Sequence, residues 1–374
     1  MGKAGRIVLY TLLWVSVVGF VVFFIDRASR HYALTKVHTL DIRIADAGAD
    51  YLFTTVEDVE RWLKQDSVAT LSTPLNKVDV GAINRTIERF DFIADVAART
   101  TFDGRLIVEL RQRKALFRLL CKGYDCYIST TADAMHLEED KALYTPVVTG
   151  DYQPPFTAEH GGPIKSYIDS LIALRDVTIA QLEEDKKPFQ DDKSRLKERM
   201  KELSKEKITQ YEEEPDSEFA ERLERHRAEK RERRRALRYE ENLLDEQIAQ
   251  LDAKQEQERK EQKKLLKRYE DFSKLINFVE YIEKSEFWRN EVVQIEAYSM
   301  SSGELALRFV ARSGNFIVEF GVPEAIEEKF RNLERFYREG LNNVGWERFS
   351  TISVEYDGKV IATPRAEQKF ENNK

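Results

Sequence analysis

The residues with the widest chemical repertoire are few. Cys121 and Cys126 flank Lys-Gly-Tyr-Asp. Positions on either side of a four-residue loop in an antiparallel hairpin can oppose each other closely enough for a disulfide, and an oxidising compartment would permit the bond. The alternative is two small, partly buried hydrophobes. The five histidines are scattered: His31 and His38 follow an apolar stretch, His136 and His160 fall in loops, and His226 lies in a charged helix. No Cys/His pair, nucleophile elbow or metal-ligand spacing occurs, and no glycine-rich loop follows a strand. Carboxylates are abundant but not placed as a working pair. The chain therefore reads as a non-enzyme, with no catalytic residue, metal, cofactor or small-molecule substrate.

The elements that would carry these residues begin with an apolar run. Residues 7–25, IVLYTLLWVSVVGFVVFFI, carry no charge. As a helix they would span about 28 Å, close to the hydrocarbon thickness of a bilayer. A cleaved signal would want a shorter core and small residues before the cut, whereas this run ends in bulky side chains. The expectation is one uncleaved span. Basic residues before it give a slight bias toward a cytoplasmic N-terminus, with the bulk of the chain on the far side.

Composition splits the remainder. The net charge of −7 excludes a globally basic nucleic-acid binder. Of the 80 residues from Asp191 to Glu270, 46 are charged, and no glycine occurs between Pro163 and Ser302. That stretch is expected to form two long antiparallel helices, interrupted at Pro188 and hinged near Pro215, packing where leucines recur. Glutamates interleave with nearly every basic residue of ERLERHRAEKRERRRALRYEE, so its net field reads as weak and the segment as a solvated spacer, the alternative being a specific binding surface for nucleic acid or anionic lipid.

The flanks are ordinary globular sequence. VHTLDIRIA alternates as a strand. Thr54 or Thr55 caps a helix carrying Val56, Val59 and Leu63, and Asp79 opens another carrying Val80, Ile83, Ile87 and Phe90. A hairpin follows, with Asp103-Gly104 suggesting a two-residue primed turn. Beyond the helical stretch, VVQIEAYS, ELALRFVA and NFIVEFGV read as strands. A helix follows with Ile326, Phe330, Leu333 and Tyr337 at helical spacing, and STISVEYDGKVIATP closes as a hairpin turning at Asp357-Gly358.

The strand-helix-helix-strand-strand order, with FDFIADVAARTTFDGRLIVELRQRKAL straight after one span, resembles a POTRA module. VVTG at Val147–Gly150, Phe287-Trp288, QIEAYS from Gln294, ELALRFVARSGNFIVEFG, EKFRNLERFYREGL and GWERFSTISVEYDGKVIATPR resemble the bacterial cell-division family FtsQ/DivIB. The likeness covers residues 1–155 loosely and 270–365 well. The fold it implies is α+β: a transmembrane helix, a βααββ POTRA-like module, and a mixed β-sheet domain interrupted by a long antiparallel helical hairpin.

The boundaries are 1–6 cytoplasmic, 7–25 span, 26–36 linker, 37–116 POTRA-like, 117–163 with 285–365 β domain, 164–284 helical insertion and 366–374 polar tail. The function implied is an inner-membrane division scaffold, enriched at the septum. It would bind FtsB and FtsL and help to regulate septal peptidoglycan synthesis. In the family FtsB docks by strand addition on the last strands. The matching positions are Ile352, Val354, Tyr356, Val360 and Ala362, with Phe330 and Tyr337 close by. The alternative is a POTRA-bearing periplasmic adaptor for outer-membrane or secretion assembly. The helical insertion and the short cytoplasmic segment depart from the family pattern.

Overall fold

The computed structural model describes residues 3–45, 53–68, 71–136, 143–356 and 358–365. Asp357 and the 366–374 tail therefore lie outside the described residues. Helix α1, Lys3–Leu34, contains an apolar window, Leu12–Ser29, with mean hydropathy 1.8 and none of it buried. By length and composition it suits a bilayer crossing. The helix runs through most of the expected linker because residues 26–34 contain neither glycine nor proline.

A three-stranded sheet follows, in the order β1-β3-β2: β1 is Thr39–Ile44, β2 Ile93–Thr100 and β3 Arg105–Gln112. Helices α2, Val56–Gln65, and α3, Val80–Glu88, cover it. Thr55 caps α2 in a reciprocal box with Asp58, and Asp79 caps α3 through the Ala82 N–H. The apolar stripes of both helices meet the sheet, burying Val59, Leu63, Ile83, Ile87, Val96 and Val108. Trp62 stacks on Phe90 at 3.8 Å. The β2–β3 turn differs from the expected two-residue form. The Gly104 N–H bonds the Thr101 carbonyl, so Phe102 and Asp103 are the central residues. Gly104 then takes φ +89° as the extra bulge residue.

The larger sheet has ten strands in the order β13-β12-β11-β10-β9-β7-β4-β5-β6-β8. Its N-terminal half holds β4 (Ala115–Cys121), β5 (Tyr124–Ser129), β6 (Asp133–Met135), β7 (Val147–Gly150) and β8 (Gly162–Pro163). The C-terminal half holds β9 (Val292–Ser299), β10 (Leu305–Ala311), β11 (Ile317–Gly321), β12 (Phe349–Ser353) and β13 (Ile361–Pro364). The halves join where β7 runs parallel to β9, with Val148 opposite Ile295 and Gly150 opposite Ala297. Gly150 has φ +118°, and a Cβ there would run into the Ala297 carbonyl. This explains the glycine that closes the VVTG motif.

One face of the C-terminal half is polar. Arg308 grips Glu296 through two bonds of 2.8 Å, and the Tyr298 hydroxyl reaches Glu319. The other face is aromatic. Phe309 and Phe320 meet Phe278 from the end of helix α5 (Asp216–Lys284), Trp288 from α6 (Glu286–Glu291) and Phe330 from α7 (Ile326–Arg335). The last turns of α5 therefore supply core to this sheet. The chain continues from α7 through a π-helical stretch, Phe336–Leu341, which sets Tyr337 among Phe287, Trp288, Phe316 and Trp346. The Tyr337 hydroxyl is buried and has no hydrogen-bond partner among the described residues. Burial, with Glu291 nearby, pushes its phenol pKa up.

Two compact units result: residues 1–164 with 273–374, and residues 165–272. The second is an antiparallel hairpin of α4, Ile164–Lys205, against α5. Contrary to expectation, α4 passes through Pro188 without a break. Proline forfeits one backbone bond there, but the neighbouring turn is clamped by tertiary bonds. The buried Lys186 ammonium donates to Asp252 at 2.8 Å and Gln255 at 2.9 Å, and pairs with Glu183. The reversal before α5 is ordered around Arg222. It donates to both Glu214 carboxylate oxygens and lies over the Tyr211 ring at 4.4 Å.

The POTRA-like module meets the larger sheet at His136. Its Nδ1 lies 3.1 Å from Asp91 Oδ2 and its Nε2 2.7 Å from the Ala158 carbonyl. Both partners only accept, so the doubly protonated ring satisfies both. Its pKa is raised by the Asp91 bond first, opposed by burial and helped by the Ala158 bond and by Asp125. A raised folded pKa stabilises fully below the unfolded value, near 6.5, and that contribution is lost as pH climbs through the folded pKa. The thermal midpoint gap between wild type and His136→Gln should therefore be widest in acid and close with rising pH. Gly150→Ala should lose about 1–3 kcal/mol by urea melt. Tyr337→Phe should be neutral or stabilising by about 1 kcal/mol, whereas Tyr337→Ala should lose about 3–5 kcal/mol.

Candidate functional site

Strand β13 ends the larger sheet. It pairs antiparallel with β12, placing Ile361 opposite Ser353, Ala362 opposite Ile352 and Thr363 opposite Thr351. On its other side β12 runs parallel to β11, and the Val354 N–H donates to the Glu319 carbonyl at 2.9 Å. Backbone groups alternate sides along a strand. Val354 and Ile352 thus turn theirs toward β11, while Thr351 and Ser353 turn theirs toward β13. Their partners Ile361 and Thr363 face inward, and the N–H and C=O of Ala362 point away from the sheet. No strand lies beyond β13 among the described residues. Pro364 sits where a proline is tolerated, since its missing N–H would also point outward. The strand's end is held by Arg365, whose N–H bonds the Arg348 carbonyl and whose guanidinium donates to the Asn315 carbonyl, both at 2.8 Å.

The residues expected at this site divide into two groups. Ile352, Val354, Phe330 and Tyr337 are buried in the chain's own core. Phe330 is fixed there because its neighbour Lys329, itself buried, donates to the Phe320 and Val322 carbonyls at the end of β11. These four side chains support the margin from beneath. Tyr356 is 57% exposed, and Val360 and Ala362 are half-buried. Ile361, not among the positions the family resemblance implies, is 47% exposed on the face opposite Ala362. Strand alternation separates the two residues, but choosing the open face requires the register with β12.

The cysteines require a correction. The loop between them is the two-residue turn Lys122-Gly123, not four residues, so Cys121 lies opposite Tyr124 and Cys126 opposite Leu119. The two cysteines are therefore diagonal neighbours on one face rather than a directly opposed pair, and both thiols are free and buried. Burial pushes Cys121 up to about 11 and Cys126 up to about 12, which leaves both inert. Among the described residues no cluster of His, Cys, Asp or Glu is placed to hold a metal.

No curated protein matches the chain. Residues 239–363 match the family model described as FtsQ/DivIB, C-terminal related. The matched segment runs from within α5 through β9, β10, β11, α7 and β12 into β13. It thus contains the aromatic core and the open margin together. That family is one of non-enzymatic division scaffolds that work through protein–protein contacts, and α1, the one helix among the described residues long and apolar enough to cross a membrane, fits a single-pass inner-membrane protein. Residues 239–363 thus carry an FtsQ/DivIB C-terminal-related domain, which supports a role in cell division.

Proposed function

We propose that the outer margin of β13 accepts a strand from FtsB, in complex with FtsL, and that the chain thereby helps to regulate septal peptidoglycan synthesis. The observation that carries this reading is the outward N–H and C=O of Ala362 on a terminal strand whose inner side is already paired. An unpaired edge supplies main-chain hydrogen bonds to an incoming strand, and flanking side chains set which strand fits. Tyr356, Val360 and Ile361 are the side chains available for that selection. One span at α1 would hold the complex at the inner membrane, with its bulk in the periplasm and enrichment at the septum.

The alternative adaptor for outer-membrane or secretion assembly draws only on the POTRA-like order of β1, α2, α3, β2 and β3. A fluorescent fusion separates the two: a mid-cell band supports division, and an even envelope signal supports the adaptor.

Proline at position 362 removes only the outward donor, so Ala362→Pro should keep the fold by circular dichroism and lose capture of FtsB. Tyr356→Ala combined with Val360→Glu should also lose capture. Retention of FtsB by both folded variants would refute the edge as the docking site.

A further inference from the structure

Over a few turns of the helical hairpin, one side carries basic residues alone and the other mixes both signs, a property that pairing the two helices reveals. Leu196 and Leu203 of α4 are buried, with Met200 between them, and mark its seam. On α5 the seam passes Lys230, Leu237 and Leu244, with Lys230 donating to the Ser204 and Glu206 carbonyls. Lys197 and Lys201 each come one residue after a seam position, as do Arg231 and Arg238. One residue is about 100° of rotation. In two antiparallel right-handed helices, equal rotations from the seam lead to the same side of the pair. The Lys193–Asp245 ion pair lies across that side, and Arg233–Glu206 lies across the other.

Arg227, Arg231, Arg234 and Arg238 recur at intervals of four, three and four. They form one stripe along about 17 Å of α5. Lys197 and Lys201 run beside it on α4. Between positions 227 and 238 on α5, and 197 and 205 on α4, this side carries no Asp or Glu. The glutamates of the same turns, Glu198, Glu202, Glu206, Glu229 and Glu232, gather on the opposite side. None of the six named basic residues has a carboxylate within ion-pairing distance among the described residues, whereas Arg195 and Arg225 on the other side pair with Asp192 and Glu221. All six are exposed.

We propose that this basic side of the hairpin docks on the anionic phospholipid surface of the bilayer that α1 enters. A flat double row of cations two helices wide matches a headgroup plane. No exposed apolar side chain lies on it between those positions, so the contact is by charge alone and does not require insertion. A folded acidic partner would instead call for buried apolar or aromatic anchors at its centre. The tether to the same membrane raises the effective concentration of the surface, so individually weak attractions suffice. The proposal rests on α1 as a membrane anchor, and recovery of the chain inside a nanodisc tests that separately.

The test uses the full chain in nanodiscs, with Ser194→Cys carrying a fluorophore beside Lys197. Cys121 and Cys126 stay unlabelled because both are buried. Lipids with spin-labelled headgroups quench the dye when the hairpin docks. Quenching is expected in discs of equal parts phosphatidylglycerol and phosphatidylcholine, not in phosphatidylcholine alone, and it should fall as salt rises. R231A/R234A/R238A should lower the docked-to-undocked ratio by roughly a hundredfold, with helicity retained because alanine favours helix. R195A/R199A/R225A, on the other side, should leave it unchanged. Equal quenching in both discs, or no response to the first triple substitution, overturns the proposal. Binding to purified peptidoglycan through the same arginines without quenching in anionic discs also overturns it, in favour of an acidic glycan.

Discussion

The fold of the larger sheet depends on one parallel pairing, β7 with β9. Val148 opposite Ile295 and Gly150 opposite Ala297 join segments almost 150 positions apart in the chain. Everything on the C-terminal side, including the aromatic layer and the strand that ends the sheet, hangs on that seam. This makes Gly150 structurally demanding, because the β9 backbone comes too close for any side chain at that point. The long helical stretch is tolerated in sequence between the two strands because loop-closure entropy grows only slowly with length.

The open margin follows from the same arrangement. β12 is held by β11 on one side and by β13 on the other, so it has no free backbone. The side chains beneath, Ile352, Val354, Phe330 and Tyr337, anchor the margin against the aromatic layer and present none of their surface. The exposed contributions come from Tyr356 and Ile361, with Val360 and Ala362 partly open. A rigid support beneath an unpaired edge is what strand addition needs, since an ordered template spares the incoming strand the entropy of ordering both partners.

The hairpin obeys a different balance. Leucines are too sparse for a deep core, so polar clamps complete the seam: Lys186 between Asp252 and Gln255, Gln262 on Asp176, and Arg175 on Glu258. These bonds tie the helices in register where apolar burial would otherwise set it loosely. Register in turn decides which charges share a side. The interleaving that looks like cancellation along the chain leaves one side of the pair, over a few turns, with basic residues alone, while the other side mixes both signs.

Much of the architecture was legible in the amino acids themselves. The nineteen-residue uncharged run, the capping residues Thr55 and Asp79, the alternation of β9, β10 and β11, and the helical spacing of Phe330 and Tyr337 are local patterns with local physical causes. What tertiary structure alone decided was pairing. Whether Cys121 faces Cys126 depends on a turn two residues long. Whether Pro188 breaks a helix depends on what clamps the neighbouring turn, and whether Ile352 is core or contact depends on the layer packed over it. Periodicity is encoded residue by residue, whereas register, sheet order and the covered face arise from contacts between distant segments, which no local pattern specifies.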